Sequence, residues 1–164
     1  MKKYLYLFLS LVVACAFVAC SDDDDEAPAT SSALSIVCNG NEVKNKEVIS
    51  YTAKENEFEE IVAGHDSEPL FTSDVPCNME VSITIPKHEL DRFDWCGITE
   101  MCMPCTEPGV YTREAKNTTS SKMNLHAYFQ KGVYTSCMVQ VDVKVNGKQE
   151  RTFFLQYNYP EIKK

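Results

Sequence analysis

Eight cysteines carry most of the chemistry open to this 164-residue chain. Cys102-Met103-Pro104-Cys105 has the spacing of a redox dithiol, in which one thiolate attacks a substrate disulfide and the second releases it. That chemistry needs a helix N-terminus to lower the attacking thiol's pKa, whereas Pro104 and Pro108 mark a loop. Cys96, Cys102 and Cys105 with His88 or His126 offer ligands of the types zinc takes, but cysteine oxidation outside the cytoplasm competes with metal. A cysteine nucleophile beside a histidine base would require an unpaired thiol. Other catalytic patterns are missing. No serine sits in G-x-S-x-G, no H-E-x-x-H occurs, and there is no glycine-rich phosphate loop. His65-Asp66-Ser67 sets three triad residue types side by side, yet triads assemble from distant positions, so it reads as a polar loop before Pro69. Glu59-Glu60 and Glu89 with Asp91 are carboxylate neighbours of a kind that 24 acids supply by chance. The expectation is a non-enzymatic chain with no metal and no cofactor.

Whether the thiols stay free depends on the compartment, and the N-terminus addresses that. Lys2 and Lys3 form a positive start, Tyr4 to Val18 is almost entirely apolar, and the small Ala19 precedes Cys20. The apolar run is shorter than the roughly 20 residues that span a bilayer as a helix. Four aspartates follow closely, so residues 1–19 read as a cleaved signal peptide. Phe17-Val18-Ala19-Cys20 resembles a bacterial lipobox, which implies that Cys20 is lipidated on its thiol and becomes the new N-terminus. Val12-Val13-Ala14-Cys15 has the same form, but the polar tether begins directly after Cys20 and favours that site. In residues 20–32, five consecutive acids, Asp22 to Glu26, repel one another and lead into Ala27-Pro28-Ala29-Thr30-Ser31-Ser32, a flexible tether. Cys20-Ser21-Asp22-Asp23-Asp24-Asp25 is similar to the start of Bacteroidetes lipoproteins, and this resemblance implies display on the outer face of the outer membrane. The formal charge of −8 and the lack of any Lys/Arg run longer than two exclude nucleic acid as an expected partner. Membrane contact then rests on the lipid alone.

With Cys20 lipidated, Cys38, Cys77, Cys96, Cys102, Cys105 and Cys137 remain, an even number that predicts three disulfides in an exported domain. Cys137 falls on an inward-facing row and is expected to cross to Cys38 or Cys77. Cys96 is expected to pair with Cys102 or Cys105 and staple an irregular stretch from Trp95 to Pro108. Each bridge is typically worth about 2 to 4 kcal/mol.

Residues 33–164 must supply the scaffold, and they read as all-β. Met79, Val81, Ile83 and Ile85 alternate with Glu80, Ser82 and Thr84, and Pro86 stops the run. Met123 to Phe129 alternates likewise, and the odd residues from Val133 to Val145 form one long inward row. Weaker strands are predicted at Leu34–Val37, Glu47–Thr52 and Glu57–Val62, with Asn39-Gly40-Asn41 as a turn. Phe153, Leu155, Tyr157 and Tyr159 share a face that must join the odd face of the preceding strand. A bare two-residue Asn146-Gly147 turn would spoil that parity. A three-residue connection, Val145-Asn146-Gly147 with a local bulge, is therefore expected, placing Val141 opposite Arg151 and Val139 opposite Phe153.

About seven strands at short spacing predict an antiparallel immunoglobulin-like β-sandwich stapled by disulfides. Gly109-Val110-Tyr111-Thr112 and Gly132-Val133-Tyr134-Thr135 read as two similar strand starts, and Asn117-Thr118-Thr119 as a polar loop. In pattern, including the cysteine-rich connection in mid-domain, the domain resembles small immunoglobulin-like lipoproteins of Bacteroidetes.

Binding is the function this leaves. Trp95, Tyr111, Tyr128 and Tyr134 are candidate ligand contacts, because aromatic faces stack on sugar rings and anchor protein interfaces. For Trp95, packing over the neighbouring disulfide competes with that role. The expected partner is a glycan or an envelope or host protein. The alternatives are an envelope thiol-disulfide oxidoreductase using Cys102 and Cys105, and a structural accessory subunit of a surface complex.

Overall fold

Alternating side chains bury one face of each long strand. The computed structural model describes residues 33–64 and 68–160. The expected signal peptide with Cys15, the expected lipid site Cys20 and tether, and His65-Asp66-Ser67 lie outside the described residues. Eleven strands and no helix make up the described part: β1 (Ser35–Cys38), β2 (Asn41–Glu42), β3 (Val48–Thr52), β4 (Lys54–Glu55), β5 (Ile61–Ala63), β6 (Leu70–Ile85), β7 (Arg92–Gly97), β8 (Thr99–Cys105), β9 (Gly109–Phe129), β10 (Ser136–Val145) and β11 (Lys148–Asn158). The expected alternation holds in the central ones. Met79, Val81, Ile83 and Ile85 of β6, Met123 to Phe129 in alternate steps of β9, and the odd residues Cys137 to Val145 of β10 are all buried.

The strands form one mixed sheet, nearly barrel-shaped, in the order β3-β11-β10-β6-β9-β5-β4. β7 and β8 branch from β9, while β1 and β2 branch from β6. Two expectations are corrected here. The strands number eleven, not about seven, and β3 pairs with β11 in parallel, so the sheet is not wholly antiparallel. β3 is placed there by a long connection through β4 to β10, and Phe154 N–H donates to Glu47 O at 2.8 Å where the two strands meet.

β9 is the strand that turns the sheet. Its residues from Gly109 to Lys122 pair with β6, whereas Met123 to Tyr128 pair with β7 on one side and Ala127 to Phe129 with β5 on the other. The β6 ladder opens between Thr72 and Cys77, where Pro76 has no N–H to give it. Across the core, Tyr157 stacks on Tyr51 at 5.4 Å, meets Phe93 edge-on at 5.6 Å and donates its hydroxyl to Leu125 O at 2.9 Å.

The register between β10 and β11 also differs from expectation. Asn146 and Gly147 form a regular two-residue turn with φ of +50° and +82°, the left-handed pair whose twist suits a hairpin. The odd residue that parity demands is Glu150, at a bulge beyond the turn, so Val141 faces Phe153 and Val139 faces Leu155. The turn is fixed from outside: Asn146 Oδ1 accepts the Asn78 N–H at 3.0 Å and Asn146 N–H donates to Asn78 O at 2.9 Å. Displacing the irregularity to exposed Glu150 disturbs only a solvated stretch of ladder.

Three further local readings change, the first being Asn117-Thr118-Thr119, which lies within β9 and is not a loop. Trp95 to Cys105 is a β7–β8 hairpin and not irregular, turning at Gly97 and Ile98, both at positive φ. Gly132 to Thr135 is a connection and not a strand start, and β10 begins at Ser136.

Gly97 and Gly132 share φ = +85°, but a Cβ at Gly97 would lie 2.2 Å from Lys122 O, whereas one at Gly132 meets nothing within 4 Å. Gly132→Ala should cost about 1 to 2 kcal/mol from backbone conformation alone. Gly97→Ala should cost more than about 3 kcal/mol, because overpacking adds to the same strain. Urea denaturation of both variants checks this, and equal losses would contradict the close approach.

Candidate functional site

The cysteines separate by strand geometry. Cys96 of β7 and Cys102 of β8 lie across the hairpin and are bonded, with Cα atoms 4.1 Å apart. Cys105 is three residues further along β8, which in an extended chain puts it on the opposite face. It is buried against the core while Cys102 is exposed. The Cys102/Cys105 dithiol therefore does not come together. Three disulfides were expected; the structure holds this one and keeps Cys38, Cys77, Cys105 and Cys137 as buried thiols. Cys38 Sγ lies 3.4 Å from Tyr51 Oη, and the Cys77 thiol donates to Thr118 O at 3.6 Å. Burial pushes the Cys105 and Cys137 thiols from the ordinary 9.0 up to about 11, the opposite of an activated nucleophile. Among the described residues no group of three or more His, Cys, Asp or Glu is arranged to hold a metal ion.

The four aromatic candidates part company. Trp95 is 0% exposed, so it cannot stack on a ligand in this fold and its role is packing. The Arg113 guanidinium lies 5.1 Å from its ring centroid and donates from Nη1 to Gly97 O (2.9 Å), Thr99 Oγ1 (3.1 Å) and Met101 O, clamping the β7–β8 tip against β9. Tyr111 packs on the core's margin and donates its hydroxyl to Glu107 O at 2.8 Å. Tyr128 is half-buried, with Arg92 lying 3.7 Å over its ring. Asp91, Asp94 and Glu60 hold that guanidinium in place at 3.0 to 3.5 Å, so the ring face is already occupied.

Tyr134 differs, at 62% exposed. Its ring meets Tyr159 edge-on at 4.9 Å, and the Tyr159 hydroxyl accepts the Gly132 N–H at 2.9 Å. Tyr159 in turn packs edge-on against Phe129 at 5.8 Å, which anchors the pair to the core's rim. The two tyrosines line an open groove of about 810 Å³ with Thr52, Thr135, Ser136 and Asn158. Stacking surface, hydroxyls and one amide thus face the same space.

Sequence reasoning missed a second aromatic, Phe58, which is 74% exposed at the tip between β4 and β5. The signal was present in Glu55-Asn56-Glu57-Phe58-Glu59-Glu60, where one apolar residue stands alone among acids. A strand through it obscured its place on a turn. Asn56 Oδ1 accepts the N–H groups of Phe58 and Glu60, each at 2.9 Å, and Glu59 takes a left-handed φ of +61°. The tip is consequently fixed by its own hydrogen bonds.

No protein family matches the chain, and no curated protein matches it either. Among solved structures, the N-terminal domain of PorA aligns over 77% of this chain and 96% of its own length, at 16% identity and a TM-score of 0.51. The fold is similar to that domain's. A family 123 glycoside hydrolase from Clostridium perfringens aligns at 9% identity and TM-score 0.40, over 77% of this chain but 27% of the hydrolase. AvmM, a macrocyclisation catalyst of alchivemycin A biosynthesis, aligns at 10% identity and TM-score 0.37, over 77% of this chain and 89% of its own. At these identities the likenesses concern architecture alone.

Two outcomes follow from the cysteine geometry. Peptide mapping without reduction should recover a Cys96–Cys102 link, and a Cys102–Cys105 link would contradict the hairpin. Raised thiol pKa values mean that the unfolded chain loses these protons first. The stability they confer is complete below pH 9 and is lost as pH rises towards 11. The urea midpoint should fall across that window, and less steeply in Cys105→Ala and Cys137→Ala than in the parent.

Proposed function

We propose that this is a non-enzymatic binding module, held at the outer face of the outer membrane by lipid on Cys20, whose ligand is a glycan. The observation that carries this reading is Tyr134, the one of the four aromatic candidates whose ring is exposed within a groove of hydrogen-bonding groups. Apolar sugar faces stack on aromatic rings, while hydroxyls and amides such as those of Thr52, Thr135, Ser136 and Asn158 meet the sugar's own hydroxyls. Groups of that kind orient a ligand and exchange no proton at neutral pH, which suits binding rather than hydrolysis. The anchor is supported by the lipobox-like Phe17-Val18-Ala19-Cys20 and the acidic stretch after it, as in surface lipoproteins of Bacteroidetes.

In this reading the nearly barrel-shaped sheet is a variant of the immunoglobulin-like sandwich, with β9 joining the two wings. The oxidoreductase alternative draws nothing from the site, since Cys102 is bonded to Cys96 and Cys105 is buried.

Full-length lipoprotein in detergent, applied to a broad glycan panel, tests the reading. At least one glycan should bind, and Tyr134→Ala should weaken it about tenfold, which corresponds to about 1.4 kcal/mol. Because the ring is mostly exposed, the variant's melting temperature should stay within a few degrees of the parent's. A blank panel would end the glycan proposal and turn the search to protein partners.

A further inference from the structure

We infer that the ligand is an extended, uncharged oligosaccharide that runs from the Tyr134 groove across Thr52 into the groove beside Phe58. The inference rests on the glycan reading above and specifies the class of glycan. Phe58 and Tyr134 are the two aromatic residues among the exposed large hydrophobic side chains of the described structure. Each borders a groove, and Thr52 lines both. The second groove has about 610 Å³ and is bordered by Ser50, Tyr51, Lys54, Glu57 and Phe58 besides Thr52.

Three physical points favour one long ligand. First, pockets of roughly 300 to 1,000 Å³ each suit a compact molecule. Two adjoining grooves of about 810 and 610 Å³ suit a chain with several units. Second, both positions are prepared before any ligand arrives: the Tyr134 ring by its edge contact with Tyr159, and the backbone that carries Phe58 by the Asn56 hydrogen bonds of its turn. Fixing one exposed ring and the backbone beneath the other lowers the ordering cost of binding.

Third, the charges select against acidic sugars. Among the described residues, the lining of the first groove, Thr52, Tyr134, Thr135, Ser136, Asn158, Tyr159 and Pro160, holds neither a carboxylate nor an ammonium. The second is bordered by Lys54, Glu55 and Glu57, with Glu55 paired to Lys131 at 3.2 Å. No arginine borders either groove, so a uronate or sulfate would find no bidentate partner, and in the second groove Glu55 and Glu57 outnumber Lys54.

The experiment is calorimetry of the full-length lipoprotein in detergent with cello-, xylo-, manno- and malto-oligosaccharides of two to six units. Oligogalacturonides of matching length serve as the charged comparison. Affinity for one neutral series should rise at least tenfold from the disaccharide to the hexamer. Binding should be unchanged between low and high salt. Phe58→Ala should flatten the rise with length while sparing the disaccharide, and Tyr134→Ala should weaken every member. Should Phe58→Ala prove unstable, the Phe58 ring resonances of the parent protein replace it, shifting with hexamer and not with disaccharide.

Binding without a length effect, or without involvement of Phe58, would overturn the inference and leave the glycan reading intact. Oligogalacturonides binding as tightly as the neutral chains would also overturn it. If no oligosaccharide binds but another glycan on the panel does, the inference fails by itself. If none binds in either experiment, both proposals fall.

Discussion

The whole domain hangs on β9, because one backbone carries hydrogen-bonded neighbours for both wings of the sheet. Along Gly109 to Lys122 its ladder belongs to β6, and from Met123 onward to β7 and β5. A strand can pair on only two sides, so the sheet must bend where the partners change. The bend brings the inward faces of β10 and β11 opposite those of β7 and the end of β9. Tyr157 then reaches Leu125 O, satisfying a buried hydroxyl that would otherwise weaken the core. Burial raises its pKa well above the usual tyrosine value, so the hydroxyl stays protonated and keeps its donor.

Local structure around this frame is secured by short polar devices. Asn78 joins the β10–β11 turn to β9, exchanging hydrogen bonds with Asn146 and accepting the Asn117 N–H at 3.0 Å on its Oδ1. Asn117 itself sits at φ +49°, a conformation asparagine tolerates better than most residues. Arg113 does similar work for the β7–β8 tip, replacing a ladder by donating to backbone carbonyls.

Period-two alternation made β6, β10, β11 and the end of β9 legible, because that signal is local and each strand has one face in the core. Parity even revealed that an odd residue was needed between β10 and β11. Its location was illegible, since the choice between turn and strand depends on Asn78, which lies far away in sequence. The parallel β3–β11 pair was hidden for the same reason: a sequence pattern marks a strand without marking its neighbour. Of the candidate site, Tyr134 was legible as an aromatic residue but its neighbour Tyr159 was assigned to the core row. Trp95 was legible as a packing residue, because a large aromatic beside Cys96 is expected to bury, and it is fully buried. Phe58 went unread because the alternation around it reads as a strand over Glu57–Val62, whereas β5 begins only at Ile61.

Among the described residues, the one disulfide and the four buried thiols also set a time order on maturation. Cys96 and Cys102 are six residues apart and meet within one hairpin, so closing that loop costs little chain entropy and needs no other part of the fold. Cys38, Cys77, Cys105 and Cys137 gain protection only when distant strands have closed over them. In an oxidising compartment the domain is consequently in a race between strand assembly and thiol oxidation. Wherever an oxidant is present, the interval before the strands close is when those four thiols are open to it.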